Sequence, residues 1–340
     1  MNTAYRLFFA TLLCAIALAV GGCSHPSSPI INTVDSTEHL SGTWTTESSK
    51  GFTTRAALAS CVIDNKIYVL GGLIDTSMGV EVNNTLEVFD PSANTWATPK
   101  TTGTCTAREG LTVSAINGKI YAIGGMAHFG DYISAVEVFD PVINSWTTLT
   151  TTGTFTPRVG LCSAIVNGKI YLFGGQNASS AALNTLEIFD PSTNSWSTPA
   201  TAGKFSPCFG AAAALVNGKI YVMGGMDTNY NPTNMLQVFD PVSNAWSTPA
   251  TTGTFTARSA LTTSVVNNKI YAIGGRDYKG GITQEVFDPA IDQWVTPTTT
   301  GTFTGRWWLT SSVVNGKIFV MGGLNDHTYL NTNEAFTPTP

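Results

Sequence analysis

Short apolar runs separated by polar turns recur along most of this chain, and they recur with a period. The cleanest copy is the segment 166–175, Val-Asn-Gly-Lys-Ile-Tyr-Leu-Phe-Gly-Gly. Its counterparts end at Gly71-Gly72, Gly124-Gly125, Gly224-Gly225, Gly274-Gly275 and Gly322-Gly323. Successive first glycines are 53, 50, 50, 50 and 48 residues apart. In the third copy, Leu161 to Val166 is a run of apolar and small residues, followed by Asn167-Gly168. Asn-Gly between two such runs predicts a tight hairpin, because both turn residues must tolerate positive φ. Lys169 to Phe173 is then a second strand, and Thr185 to Phe189 alternates as a third. The turn cluster Asp190 to Asn194 leads into a fourth strand at Ser195-Trp196-Ser197. Four antiparallel strands in each unit define a propeller blade, so six units predict an all-β, six-bladed β-propeller.

Other positions return at the same spacing. Arg55, Arg108, Arg158, Arg258 and Arg306 precede the first strand of their units, and Cys208 takes the sixth place. The third strands return as Glu87 to Pro91, Glu137 to Pro141, Glu187 to Pro191, Gln237 to Pro241 and Glu285 to Pro289. Trp96, Trp146, Trp196, Trp246 and Trp294 mark the fourth strands. With the Ile-Tyr-x-x-Gly-Gly segment, this pattern resembles the kelch repeat across nearly all of Gly42 to Phe336. The sixth unit runs to Phe336 without a tryptophan strand, whereas Trp44 stands 52 residues ahead of Trp96. The segment around Trp44 is therefore expected to supply the outer strand of the last blade. Such closure removes exposed sheet edges.

The chain has 340 residues, of which 43% are hydrophobic and 11% charged. One compact core rarely grows past about 250–300 residues, a limit that a modular array avoids. The net charge of -5 argues against a nucleic-acid partner. Lys66, Lys119, Lys169, Lys219, Lys269 and Lys317 share one register and form no single patch. Arg6 precedes an apolar run from Leu7 to Val20 that is short for a transmembrane helix. The run closes with Val20-Gly21-Gly22-Cys23-Ser24, which resembles the lipobox of bacterial lipoproteins. That resemblance implies a signal peptide at 1–22, an acylated Cys23, a tether to residue 40 and a propeller over 41–340. Ser24 in the second mature position implies the outer membrane, with the protein held in the cell envelope by its lipid. The competing reading is an ordinary secretory signal with an incidental cysteine. Cys61, Cys105, Cys162 and Cys208 occupy different registers and are read as unpaired small hydrophobes. A closed ring has no edge to cover, so a monomer is expected.

The Asn-Gly and Asp-Pro turns repeat almost unchanged on one face, whereas the loops on the opposite face vary. Variable loops on a rigid scaffold are where binding resides. The five repeated arginines are expected to ring the channel mouth on that face, where guanidinium groups favour carboxylate or phosphate ligands. The competing reading is that they bridge blades through carboxylates and backbone carbonyls. Arg276, Trp307, Trp308 and Tyr278 are unrepeated candidates for ligand contact; Trp308 or Trp307 could instead plug the channel. Tyr132, Tyr230 and Tyr329 lie in the variable loops, and Glu109 and Asp131 are the nearest candidate acids or bases. No catalytic pair, metal ligand set or cofactor motif emerges, and Asp227 to Asn231 lacks the glycine and glutamate of a calcium loop. The kelch resemblance implies two uses for such a face: capture of acidic peptides, as in six-bladed adaptors, or binding of an anionic sugar, as in periplasmic sialic acid mutarotases. The favoured reading is a binding module for a protein or an anionic carbohydrate or peptide. A mutarotase-like enzyme and a structural envelope protein are the alternatives.

Overall fold

The computed structural model describes residues 39–127, 130–277 and 284–339. Six antiparallel sheets form the blades of a ring. Blade 3 shows the pattern: Cys162–Val166, Lys169–Phe173, Leu186–Asp190 and Ser195–Ser197 pair in chain order from the channel outward. Asn167 and Gly168 take φ of 50° and 73°, as a two-residue hairpin requires. At the other turn, Asp190 Oδ1 accepts the Ser192 amide at 2.9 Å and fastens the reversal. Lys169 reaches back to Asp190 at 2.9 Å, and most other blades have an equivalent surface pair. Such exposed pairs contribute at most about 1 kcal/mol each.

The ring closes as the misplaced tryptophan predicts. Ser41–Thr46 pairs antiparallel with Asn333–Pro338, placing Trp44 opposite Phe336, and so completes blade 6. Thr298–Thr300 then runs parallel to Ser41–Thr46 outside it. In blades 2 to 5 the incoming connection makes a shorter parallel contact with the outer strand, for example Thr152 with Ser195. A glycine follows that contact because a Cβ on Gly153 would lie 2.5 Å from the Trp196 carbonyl oxygen. Two residues on, the chain lays an aromatic ring on the tryptophan: Phe155 stacks on Trp196 at 4.5 Å and Phe205 on Trp246 at 4.3 Å. Trp44 receives Phe303 at 4.5 Å, here with the rings tilted by 34°.

Apolar residues fill the spaces between blades, so six clusters hold the ring. One joins Ile170 and Phe189 of blade 3 to Val138 of blade 2, and another joins Phe89 of blade 1 to Phe319 of blade 6. The second strands are apolar on both faces because they are buried between neighbours on both sides. Cys61, Cys105, Cys162 and Cys208 are free thiols, and burial pushes Cys61 and Cys208 up to about 12.

Candidate functional site

Just below the loop face, the repeated arginines do not ring a channel mouth. Arg55, Arg108, Arg158, Arg258 and Arg306 are all 0% exposed. Each pairs inside its own blade with the glutamate at the first or second position of the third strand: Glu87, Glu137, Glu187, Glu285 and Glu334 respectively. Arg158 also donates to the Gly174 carbonyl at 2.9 Å and to Thr185 Oγ1 at 2.6 Å. Glu187 accepts the Thr156 amide and hydroxyl, each at 3.1 Å. One clamp thus ties the lead-in, the end of the second strand and the start of the third. This corrects the expectation that these five guanidinium groups meet a ligand. Desolvation lowers their pKa, and the partner carboxylate pulls the other way. Removing one partner would leave the other charge buried and alone, which is why both are retained together.

Blade 4 dispenses with both charges at once. Cys208 replaces the arginine and Gln237 the glutamate; the Gln237 side chain accepts the Ser206 amide at 2.8 Å and donates to the Lys204 carbonyl at 2.9 Å. The coupled replacement was visible in the sequence, and it is the signal that would have marked the arginines as internal.

Two residues after each clamp position the chain crosses the channel wall. Ala57, Gly110, Gly160, Gly210, Ala260 and Trp308 all adopt positive φ there. Each donates its amide to the carbonyl of the preceding one, from Trp308 to Ala260 at 2.8 Å around to Ala57 and Trp308 at 2.8 Å. The six peptide groups form a closed hydrogen-bonded necklace. Trp308 replaces the small residues seen at this register and points its indole across the opening; a Cβ on Gly160 or Gly210 would lie 3.6 or 3.4 Å from its ring. Of the two roles expected for Trp308, plugging is the one its position supports. A cavity of about 90 Å³ remains beside it, lined by the necklace and by leucines such as Leu161.

Above the necklace, the residue after each clamp position pairs with the residue after each Gly-Gly. The pairs are Ala56 with Leu73, Glu109 with Met126, Val159 with Gln176, Phe209 with Met226, Ser259 with Arg276, and Trp307 with Leu324. A further tier adds Val82, Tyr132, Ala182, Pro232 and Tyr329. These positions repeat in backbone geometry but not in residue type, and together they form the mouth. Only Glu109 and Arg276 carry charge among the described side chains of these tiers. They belong to blades 2 and 5, which face each other across a six-membered ring.

Arg276 is exposed, and its guanidinium lies 4.8 Å from the Trp307 ring centroid. Beside it, Ser259 is 1% exposed and its Oγ has no hydrogen-bond partner among the described residues. Glu109 is half-buried, and burial pushes its carboxyl up to about 7. The Tyr132 and Tyr329 phenols are raised mainly by burial, with the charge of Glu109 adding to both. Tyr230 packs edge-on against Phe209 at 5.5 Å and accepts from Gln176 Nε2 at 2.9 Å. Of the sequence candidates, the structure brings Arg276 and Trp307 together at the mouth. Tyr278 and Cys23 lie outside the described residues. Phe209, Gln176, Ser259 and Met126 were missed, because their significance rests on a register that only the paired backbone reveals.

A ring of six four-stranded blades, closed by its first strand and presenting one unrepeated face, defines a β-propeller scaffold for interaction. A family model described as the KLHDC2/KLHL20/DRC7 Kelch-repeats domain matches residues 10–168 and 145–323, and a Kelch motif model matches 309–339. The chain belongs to the Kelch-repeat family. Among curated proteins, none matches it.

Proposed function

We propose that this protein is a lipid-anchored binding module of the cell envelope, taking its ligand at the mouth on the loop face. One observation carries the binding site: scaffold chemistry repeats from blade to blade, whereas the mouth alone is built from unrepeated side chains on a repeated backbone. With five arginines neutralised inside the blades, the anionic group of the ligand falls to Arg276, beside Trp307 and a Ser259 hydroxyl that has no partner among the described residues. An exposed guanidinium on an aromatic face suits a carboxylate of a protein, peptide or sugar. The anchor rests on the segment ending at Cys23-Ser24. Mass spectrometry of the membrane-extracted protein should find an acylated Cys23 at its N-terminus; an unmodified cysteine would remove the anchor from this reading. For the site, calorimetric titration with N-acetylneuraminate and with an acidic peptide should give binding that Arg276→Ala abolishes and Lys119→Ala leaves intact. Binding indifferent to Arg276→Ala would exclude the mouth.

Glu109 favours a second reading, that of an enzyme resembling the sialic acid mutarotases. A carboxyl held near pH 7 can both give and take a proton, and Arg276 across the mouth could hold the substrate carboxylate. Proton NMR of freshly released sialic acid would show anomer exchange accelerated by the protein and slowed in Glu109→Gln. An unaltered exchange rate would leave the binding module alone.

A further inference from the structure

We propose that the mouth selects a dipolar ligand, whose cationic group is held by Glu109 while its anionic group is held by Arg276. This rests on the proposed use of the mouth and names the ligand class that fits it. The two charges stand on opposed blades, and the described side chains of the mouth tiers between them are uncharged. A ligand lying along these tiers therefore meets one tier charge of each sign and an aromatic and thioether surface in between.

Glu109 differs from the five glutamates of the third strands. Glu87, Glu137, Glu187, Glu285 and Glu334 are each matched by an arginine and by threonine donors. The Glu109 carboxylate has no hydrogen bond or ion pair among the described residues, although it is half-buried. A desolvated carboxylate without a partner is costly, and a cation from outside supplies what the protein omits. The titratable groups that share its electrostatic neighbourhood are the Tyr132 and Tyr329 phenols, with Tyr230 acting on the first and Asp75 on the second. None is a cation, and Arg108, next in the chain, is occupied by Glu137. Tyr132 lies two backbone bridges from Glu109 through Met126, and tyrosine rings near a carboxylate attract ammonium or guanidinium groups. Ligation of a cation favours the ionised carboxylate, so the cationic half of the ligand binds above the Glu109 pKa of about 7 and is released below it.

The test uses the purified full chain in detergent and a series of straight-chain ω-amino carboxylates of increasing length, alongside alkyl carboxylates and alkylammonium ions of matched length. Calorimetry at about pH 8 should show one amino carboxylate length binding at least about tenfold more tightly than either matched monopolar probe. That advantage should vanish in Glu109→Gln and near pH 5.5, where Glu109 is protonated. Glu109→Gln removes an unpartnered charge, so the variant is expected to fold, and its melting curve verifies this. An advantage that survives Glu109→Gln and acidification, or an alkyl carboxylate that binds as tightly as any dipolar probe, would overturn the proposal. Alkyl carboxylate binding that is lost in Arg276→Ala would meanwhile keep the anion-binding mouth standing. The absence of binding by every probe would overturn both.

Discussion

In the layer beneath the mouth, five blades bury an arginine against a glutamate; one residue further along the chain, only Glu109 among the six positions is charged. Arg108 is enclosed and matched with Glu137, and Glu109 beside it is half-open and unmatched among the described residues. Arg306 is held by Glu334, and Trp307 beside it stacks under Arg276. The two layers share a backbone path but serve different ends. Where charge repeats, it is satisfied internally and holds the blade; the two unrepeated charges of the mouth tiers have no such clamp among the described residues, which is the basis of the proposed site. Blade 4 supports the division, because it loses the arginine and the glutamate together and keeps its place in the ring with Cys208 and Gln237.

The largest effects should come from the scaffold side. Trp44→Ala strips the ring-closing strand of its contacts with Phe303 and Phe336, and should cost about 3–5 kcal/mol in denaturant unfolding. An unchanged midpoint would mean that this strand does not hold the ring. Arg158→Met leaves Glu187 buried without its cation and should also cost about 3–5 kcal/mol. The double change Arg158→Cys with Glu187→Gln copies blade 4 and should recover most of that loss, ending within about 2 kcal/mol of the parent. If the double variant is no better than the single one, the pair is not the unit that matters.

On the mouth side the sign reverses. The carboxyl of Glu109 has a folded value near 7 against an ordinary 4.5, so the folded state binds the extra proton between those limits. Its contribution favours folding below pH 4.5 and fades as pH rises through 7, where a charge must be kept half-buried. Glu109→Gln should therefore raise stability by about 1–3 kcal/mol at pH 8 and leave it unchanged near pH 4.5. Melting curves that stay parallel across this range would remove the buried charge from the account. Arg276→Ala should be the mildest change, within about 0.5 kcal/mol in stability, while eliminating anion binding. A substantial loss of stability there would make Arg276 another structural cation.

Much of this architecture was legible in residue order. The fifty-residue period, the Asn-Gly hairpins and the displaced Trp44 led directly to six blades and to the strand that closes them. The arginines were legible as a ring but not in their direction, since periodicity places a residue on a blade without saying whether its side chain turns inward. Only the Cys208 and Gln237 replacements carried that information, and they required reading two positions 29 residues apart as one. Trp308 could be placed at the channel from its register, but its reach to Gly160 and Gly210 depends on a positive φ at a bulky residue. The mouth was the least legible part, because Glu109 and Arg276 belong to opposed blades and are brought to one opening by ring closure.

The most direct test is a brief treatment of the native protein with an arginine-selective dicarbonyl reagent, followed by peptide mass spectrometry. Arg276 should be modified while Arg55, Arg108, Arg158, Arg258 and Arg306 remain intact until the protein is unfolded. Modification of those five at the rate of Arg276 would return them to the mouth and contradict the division between clamp and site.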